Sequence, residues 1–355
     1  MARNLFEYHP ILGYRFVPGL RARVRHEGGG YLVRCNAAGF RCDHETARGR
    51  PPGQRRVLLF GDSFTAGEGV SNRFRFGDLL EERIPALQVL NFGLPGSGTD
   101  QQYLAFREFG RELDADALLL CPMVENLRRN LDRHRLTQSA TDGRLVLRAK
   151  PYFLQAEQGL ELHHQPVPKQ IVPEDAIAPE DRPSNLAAGP ADEVSAARQL
   201  WQGAGTRLEE WLPGLRGVSR QLRGVRWPPD YEDPQSAGWR LMEAILARWI
   251  EEAQAPVLLA PLPTSDHVRG DLRAEGIRAR FQELATRTGA RFVDVLPALQ
   301  REPRSVRRRF RFPADDHPTR LGHGLLAAAL ADAVDDALPP IPATPPIRSG
   351  GEEAA

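Results

Sequence analysis

The sequence predicts an α/β fold in which a parallel β-sheet of five strands is packed between helices. Short unbroken runs of apolar residues are typical of parallel strands that are covered on both faces. Between these runs, apolar residues recur at helical spacing. Strand and helix therefore alternate, which favours a parallel sheet with helices on its faces. The predicted strands are Val57–Phe60, Val89–Phe92, Ala117–Cys121, Val257–Ala260 and Phe292–Val295.

The predicted helices each carry an apolar stripe. In chain order, the stripes are Phe76, Leu79 and Leu80; Tyr103, Phe106 and Gly110; Trp239, Met242, Ile245, Leu246, Trp249 and Ile250; Ile277, Phe281 and Leu284; and Leu326, Leu330, Val334 and Ala337 before Pro339.

Two stretches and the tail fall outside this alternation. Residues 1–50, the N-terminal segment, carry three consecutive glycines between short alternating runs and are predicted to be β-rich. Residues 136–231 are predicted to be an insertion before the fourth strand, within a main domain at 55–338. The tail 339–355 has too few apolar residues to pack and is predicted to be disordered. Inside the insertion, a hairpin is predicted from Leu145–Leu147, Tyr152–Leu154 and Leu160–Leu162, followed by a Pro-, Ala- and Glu-rich linker.

Composition narrows the class of protein. The chain has 355 residues, of which 41% are hydrophobic and 26% charged, so it can bury a sizeable core. A net charge of +1 gives no reason to expect nucleic acid or an anionic membrane as a partner. The sequence has no apolar run long enough to span a bilayer and no signal-like start, so a soluble, cytoplasmic protein is expected.

Cysteine and histidine usage argues against metal and disulfide chemistry. Cys35, Cys42 and Cys121 are odd in number and lack ligand or redox spacing, and Cys121 is expected to be a buried strand thiol. His163 and His164 are adjacent on a predicted strand and would point to opposite faces, so they are rejected as metal ligands. No metal and no cofactor are predicted.

A serine stands where an open α/β sheet places its ligands. Gly61-Asp62-Ser63 follows the first strand directly, at the carboxyl edge of the sheet. The backbone N–H groups of the helix that follows would face a developing oxyanion. Asp and Ser are also favoured helix caps, so this turn alone does not decide between a cap and a nucleophile.

Three further loops converge on the same edge. Gly96, after the second strand, can offer a backbone N–H, and Asn126, after the third, can donate its side-chain amide. His317, before the last helix, could take a proton from Ser63 while an adjacent acid orients the imidazole. Each loop alone has a plain structural explanation as a turn or cap, so the weight lies on the set.

Four loops in the order Ser, Gly, Asn, Asp-His resemble the four sequence blocks of the SGNH hydrolases, also called GDSL-like esterases and lipases. The resemblance covers roughly residues 55–130 and 255–335. It implies a flavodoxin-like three-layer α/β/α sandwich. It also implies Ser63 as nucleophile, His317 as base, and an oxyanion hole formed by the Ser63 amide, Gly96 and Asn126.

The sequence departs from the family pattern at three places. Phe64 replaces the common Leu after the serine, and Leu127 replaces the Asp that commonly follows the third-block Asn. Ala314 stands three positions before His317, where the family commonly has its Asp. We therefore assign the orienting acid to Asp315, with Asp316 as the alternative.

The predicted activity is serine-dependent hydrolysis of a carboxylic ester, an O-acetyl or short acyl ester that could be linked to a glycan, through an acyl-enzyme. The same residues could transfer the acyl group to another alcohol, and assays with and without an acceptor separate the two. A non-catalytic binding module is the third hypothesis, which labelling of Ser63 by a fluorophosphonate would exclude.

Two basic clusters flank the predicted catalytic loops and suggest an anionic substrate or carrier. The residues proposed to contact it are Arg128 and Arg129 in the first cluster and Arg307 and Arg308 in the second. A solvated charged surface is the plain alternative for either cluster. The clusters comprise Arg128, Arg129, Arg133 and Arg135, and Arg304, Arg307, Arg308, Arg309 and Arg311.

Overall fold

A computed structural model describes residues 4–138, 145–173, 177, 183 and 228–341. Most of the predicted linker in the insertion, and the predicted tail after Ile341, lie outside these residues. In chain order the strands are β1 (Phe6–His9), β2 (Gly13–Phe16), β3 (Arg21–Val24), β4 (Tyr31–Arg34), β5 (Arg55–Gly61), β6 (Leu87–Asn91), β7 (Ala117–Cys121), β8 (His134–Gln138), β9 (Leu145–Ala149), β10 (Tyr152–Ala156), β11 (Gly159–His163), β12 (Ile171–Val172), β13 (Val257–Leu259) and β14 (Arg291–Phe292).

The α-helices of the same residues include one at each of the five predicted stripes. They are α1 (Ser63–Ala66), α2 (Phe76–Arg83), α3 (Thr99–Ala105), α4 (Asn126–Leu131), α5 (Ala237–Glu252), α6 (Ser265–Arg269), α7 (Glu275–Thr288), α8 (Leu296–Arg301), α9 (Arg304–Arg307) and α10 (Arg320–Asp336). No helix among the described residues is long and apolar enough to cross a membrane.

The central sheet is parallel and has five strands, as the sequence predicts. Its order is β14-β13-β7-β5-β6. Numbered within the sheet, this is the 2-1-3-4-5 order of flavodoxin-like folds. Four strands match their predicted runs to within a few residues, but the fifth was predicted too long, at Phe292–Val295. Asp294 accepts a hydrogen bond from the N–H of Leu296 at 3.2 Å, which turns the chain into α8 after the two residues of β14.

Two consecutive residues of β5, which point to opposite faces, show that helices cover both faces of the sheet. Phe60 stacks on Phe92 at 4.8 Å between ring centroids and meets Trp249 of α5 edge-on at 5.1 Å. Leu59 points the other way, and a Cβ on Gly77 of α2 would lie 2.7 Å from it. Both strand residues are fully buried, so the continuous apolar run of β5 reflects burial on two faces. Cys121, at the end of β7, is buried as predicted.

The N-terminal segment is β-rich, as predicted, and consists of two antiparallel hairpins, β1–β2 and β3–β4. Part of it belongs to the main core, where Leu12 and Phe40 are fully buried. The hairpin β3–β4 instead packs around a small cluster of its own, which includes Tyr31 and Val33. The segment therefore lies against the main domain, close to its site edge.

The described part of the insertion forms two small sheets. Strands β10 and β11 pair as the predicted hairpin. The stretch Leu145–Leu147 was predicted to share that hairpin, but it lies in β9, which pairs with β8 and β12. Between β9 and β10, the buried Lys150 bonds to the Asp100 carboxylate and to the Arg129 carbonyl at 2.7 Å, and this contact ties the insertion to the sheet's edge.

Candidate active site

The turn after β5 presents Ser63 as the first residue of α1. Asp62 is the N-cap, and its Oδ1 accepts a hydrogen bond from the Phe64 N–H at 3.0 Å. A Cβ on Gly61 would lie 2.1 Å from the Thr65 Oγ1 and 2.9 Å from the Cys121 carbonyl oxygen, so only glycine fits there. Ser63 is 5% exposed. The turn is therefore tightly built, with its serine at the carboxyl edge of the sheet.

The loop after β6 presses against this turn. A Cβ on Gly93 would lie 2.3 Å from the backbone nitrogen of Ala66. Gly96 is exposed and has a φ of +75°, a left-handed conformation that favours glycine. Tyr14 fixes the loop, because its hydroxyl donates to the Pro95 carbonyl at 2.5 Å.

Asn126, after β7, is completely buried, and its amide orientation is set by its partners. Its Oδ1 accepts from the Met123 N–H at 3.0 Å and from the Gln102 amide at 3.1 Å. Its Nδ2 donates to Asp62 Oδ2 at 3.1 Å. An amide nitrogen carries two hydrogens, so the bond to Asp62 uses one of them and leaves the second available to donate.

Arg129 joins the three loops. Its Nη1 lies 2.8 Å from Asp62 Oδ2 and 3.3 Å from the Ser97 carbonyl oxygen. Asp62 is fully buried, so its charge depends on Arg129 and on the hydrogen bonds it accepts. Arg129, predicted from sequence to bind substrate, thus bonds inside the protein.

The loop before α10 brings an acid to His317. Oδ1 of Asp315 lies 2.5 Å from Nδ1 of His317 and accepts from the His317 backbone N–H at 3.1 Å. Asp316 instead pairs with Arg311 at 3.0 Å, and its side chain is 80% exposed. The geometry thus favours Asp315 over Asp316 for orienting the imidazole.

Three carboxylates raise the pKa of His317. Burial lowers its pKa, but the hydrogen bond that its Nδ1–H donates to Asp315 and the charges of Glu68, Asp315 and Asp62 outweigh burial and raise the pKa above the usual value. The same hydrogen bond, aided by one from His26, holds the pKa of Asp315 well below its usual range. Asp315 is therefore ionised and His317 is a strengthened base.

His317 lies against the turn that carries Ser63. Its ring centroid is 5.5 Å from that of Phe64, the residue after the serine. Its Nε2 is 3.5 Å from Oε2 of Glu68, two residues beyond α1. Sequence reasoning missed Glu68, because a single acid after a short helix forms no recognisable pattern.

Among the other arginines predicted to contact substrate, Arg128 and Arg307 are partly buried and Arg308 is exposed. Arg307 donates to the carbonyl oxygens of Val268 and Arg269, at 3.2 and 2.8 Å, so it braces a loop. Arg128 lies 3.7 Å from Asp230, and Arg308 is exposed.

Arg135 lies beside the Gly96 loop and the Tyr14 ring. Its guanidinium carbon lies 3.4 Å from the centroid of the Tyr14 ring, and a Cβ on Gly96 would lie 3.4 Å from its Nη2. Its Nη1 is buried and has no hydrogen-bond partner among the described residues.

Metal-binding groups do not gather at this edge or elsewhere in the described part of the chain, where no cluster of three His, Cys, Asp or Glu side chains could hold an ion. Burial raises the pKa of Cys42 to about 11 and also raises that of Cys121, so these thiols are protonated and poorly nucleophilic.

Comparisons with known proteins find likeness in structure alone. No protein-family model matches the chain, and no curated protein matches it. Similar solved structures include a lipolytic protein of the G-D-S-L family from Veillonella parvula DSM 2008, at 11% identity and a TM-score of 0.40, covering 78% of this chain and 97% of that one. A lipase/acylhydrolase from Enterococcus faecalis is 14% identical, with a TM-score of 0.42, and the match covers 81% of this chain and 98% of that one. The acetyl xylan esterase AlAXEase is 12% identical, with a TM-score of 0.41, and the match covers 79% of this chain and 99% of that one. Identities and TM-scores this low carry no argument about activity.

Proposed function

We propose that this chain is a serine-dependent carboxylic ester hydrolase of the SGNH type, with Ser63 as nucleophile, His317 as base and Asp315 as orienting acid. The observation that carries the proposal is the Asp315–His317 pair, at 2.5 Å, set against the turn that presents Ser63. A helix cap would explain Ser63 alone, but it would not explain why a base of raised pKa, paired with an ionised acid, packs against Phe64 of the same turn.

The proposed reaction uses the serine hydroxyl as an attacking group. As Ser63 Oγ attacks the ester carbonyl carbon, its proton passes to Nε2 of His317. The alcohol then leaves with that proton, and an acyl-enzyme remains. Water repeats the sequence and releases the acid. Asp315 holds the Nδ1 proton of His317 and stabilises the imidazolium, while remaining ionised.

The proposed oxyanion hole uses three donors on three loops. They are the backbone N–H groups of Ser63 and Gly96 and the second Nδ2 hydrogen of Asn126. Support comes from the fixed orientation of Asn126, whose Oδ1 accepts from Met123 and Gln102, so that only its NH₂ group is left to donate. Donors fixed before the reaction stabilise developing charge without reorganisation.

The anionic substrate proposed from the basic clusters finds support at Arg135. Its partly buried guanidinium lies beside the Gly96 loop, and one of its nitrogens is buried without a partner. An anionic group on the substrate, such as a carboxylate or phosphate, would accept its hydrogen bond. Arg135→Gln should lower kcat/KM for an anionic ester more than for a neutral ester of the same acyl group. An equal loss for both esters, or a larger one from Arg308→Gln, would remove Arg135 from this role.

The experiment that tests the main proposal labels the purified protein with a fluorophosphonate and identifies the modified residue by mass spectrometry. Ser63 should be labelled in the native protein and not after heat denaturation. A panel of nitrophenyl esters and acetylated sugars, with and without an alcohol acceptor, then separates hydrolase from acyltransferase. An unlabelled Ser63, together with no turnover of any ester, would favour the non-catalytic binding module.

A further inference from the structure

The loop between β3 and β4 reaches from the N-terminal segment to the candidate active site. Nε2 of His26 lies 3.0 Å from Oδ2 of Asp315. The side chain of His26 is 11% exposed, so this contact is shielded from water. The acid that orients His317 is therefore held from both sides, since its Oδ1 contacts His317 and its Oδ2 contacts His26.

The backbone fixes the tautomer of His26. Its Nδ1 accepts a hydrogen bond from the Gly28 N–H at 3.1 Å, so Nδ1 of the neutral ring carries no proton. The ring proton is then on Nε2, which donates to Asp315. A neutral donor of this kind supports the ionised carboxylate and leaves the other oxygen for His317.

Close packing supports this contact. The His26 ring meets Phe312 edge-on at 4.4 Å and Tyr31 at 5.9 Å. A Cβ on Gly28 would lie 2.7 Å from the Phe312 ring, and one on Gly69, whose φ is +86°, would lie 2.5 Å from it. Gly28 and Gly69 thus allow the β3–β4 loop and the loop after α1 to approach the Phe312 ring closely.

A second contact ties the same two loops together. Both carboxylate oxygens of Glu27 lie 3.1 Å from the backbone nitrogen of Ala314, which donates to them. Two consecutive residues of the N-terminal segment therefore anchor the loop of Asp315 and His317. His26 binds the Asp315 carboxylate, and the Glu27 carboxylate binds the backbone N–H of Ala314.

We propose that His26 is a positioning residue for the triad: it holds Asp315 in the rotamer that presents Oδ1 to His317, which makes the N-terminal segment part of the catalytic unit. The inference rests on the proposed function of Asp315 and His317. His26 acts through Asp315 and does not touch the substrate.

Matched variants separate this role from plain packing. His26→Phe keeps an aromatic ring against Phe312 but removes the donor. His26→Gln can both donate to Asp315 and accept from Gly28. We expect His26→Phe to lower kcat about tenfold or more, with KM and melting temperature nearly unchanged, since losing the group that orients a catalytic residue costs this much. His26→Gln should restore most of kcat. Arg25→Gln, an exposed residue of the same loop, is the control.

A double-mutant cycle shows whether His26 acts through Asp315. In an Asp315→Asn background, His26→Phe should lower kcat by less than about a further twofold, because the effects of substitutions within one network are not additive. An unchanged kcat in His26→Phe, an equal loss in the Asp315→Asn background, or no rescue by His26→Gln would each overturn the inference.

Proton NMR separates failure of this inference from failure of the proposed function. The Nδ1 proton of His317, shared with Asp315, should give a far-downfield resonance that shifts or broadens in His26→Phe and not in Arg25→Gln. If the wild type hydrolyses no ester, the proposed function fails, but this resonance still reports on His26. A resonance identical in His26→Phe would overturn the positioning role whatever the activity.

Discussion

The loops of Ser63 and Asn126 are joined to each other by buried hydrogen bonds, whereas the loop of Asp315 and His317 is bonded to His26 and Glu27 of the N-terminal segment. On the side of Ser63, the proposed nucleophile, the Asp62 carboxylate and the Asn126 amide are completely buried and linked to each other. On the base side, Asp315 and His317 are 28% and 19% exposed. The first arrangement follows from the sheet edge, while the second depends on contacts made by the N-terminal segment.

This difference predicts how the two sides respond to substitution. Removing a partner in the buried network leaves donors and acceptors without hydrogen bonds, which costs roughly 1–3 kcal/mol each. Asp315 and His317 on the base side are partly exposed, so removing a partner there leaves groups that water can reach. Substitutions on the nucleophile side should therefore lower stability together with activity, and those on the base side activity alone.

The largest loss of ester turnover is expected when the proposed nucleophile or the proposed base is removed. Ser63→Ala and His317→Ala should each lower ester turnover by about a thousandfold or more, because nucleophile and base act as a unit. Both proteins should keep the wild-type circular dichroism spectrum. Turnover close to that of the wild type in either purified variant would contradict the proposed mechanism.

The base side is tested next by its two neighbouring acids. Asp315→Asn should lower kcat by a thousandfold or so, since an amide oxygen and NH₂ group can favour the wrong tautomer of His317. Asp316→Asn should change kcat less than about twofold, because its side chain is largely exposed and pairs with Arg311. A reversed ranking would assign the orienting role to Asp316.

The nucleophile side is tested by Asn126→Ala. We expect turnover to fall about a hundredfold through loss of an oxyanion donor. Stability should fall too, because Met123, Gln102 and Asp62 lose a buried partner. Gln102→Ala is the matched control, since it removes a bond to Asn126 without removing the donor, so it should cost stability but little turnover. Equal turnover losses in both variants would mean that Asn126 acts only as a brace.

The smallest effect is expected from Glu68→Gln. The negative charge of Glu68 raises the pKa of His317, and the base must be neutral to act. Removing that charge lowers the pKa, so the acidic limb of the kcat/KM profile should move to lower pH, by about one unit or less. Asp332→Asn, which removes an exposed acid from α10, should leave the limb in place. A limb that moves to higher pH in Glu68→Gln would contradict this assignment.

The sequence by itself determined the α/β class, four of the five central strands and the placing of Ser63, Gly96, Asn126 and His317 after strands or before a helix. These features follow from local patterns, because apolar runs and turn residues show where a parallel strand ends. Sequence analysis assigned the orienting acid to Asp315 but kept Asp316 as the alternative, since neighbouring residues differ only in which way their side chains point.

Only the tertiary structure decided which charges are used inside the protein and which reach the site. Arg129 lies in an arginine cluster in sequence, yet it neutralises the buried Asp62. His26 precedes a run of glycines that signals a turn, and nothing local indicates that it meets Asp315, 289 residues further along the chain. Pairing between distant side chains depends on how the loops fold back on the sheet, and local sequence patterns do not show which distant residues come into contact.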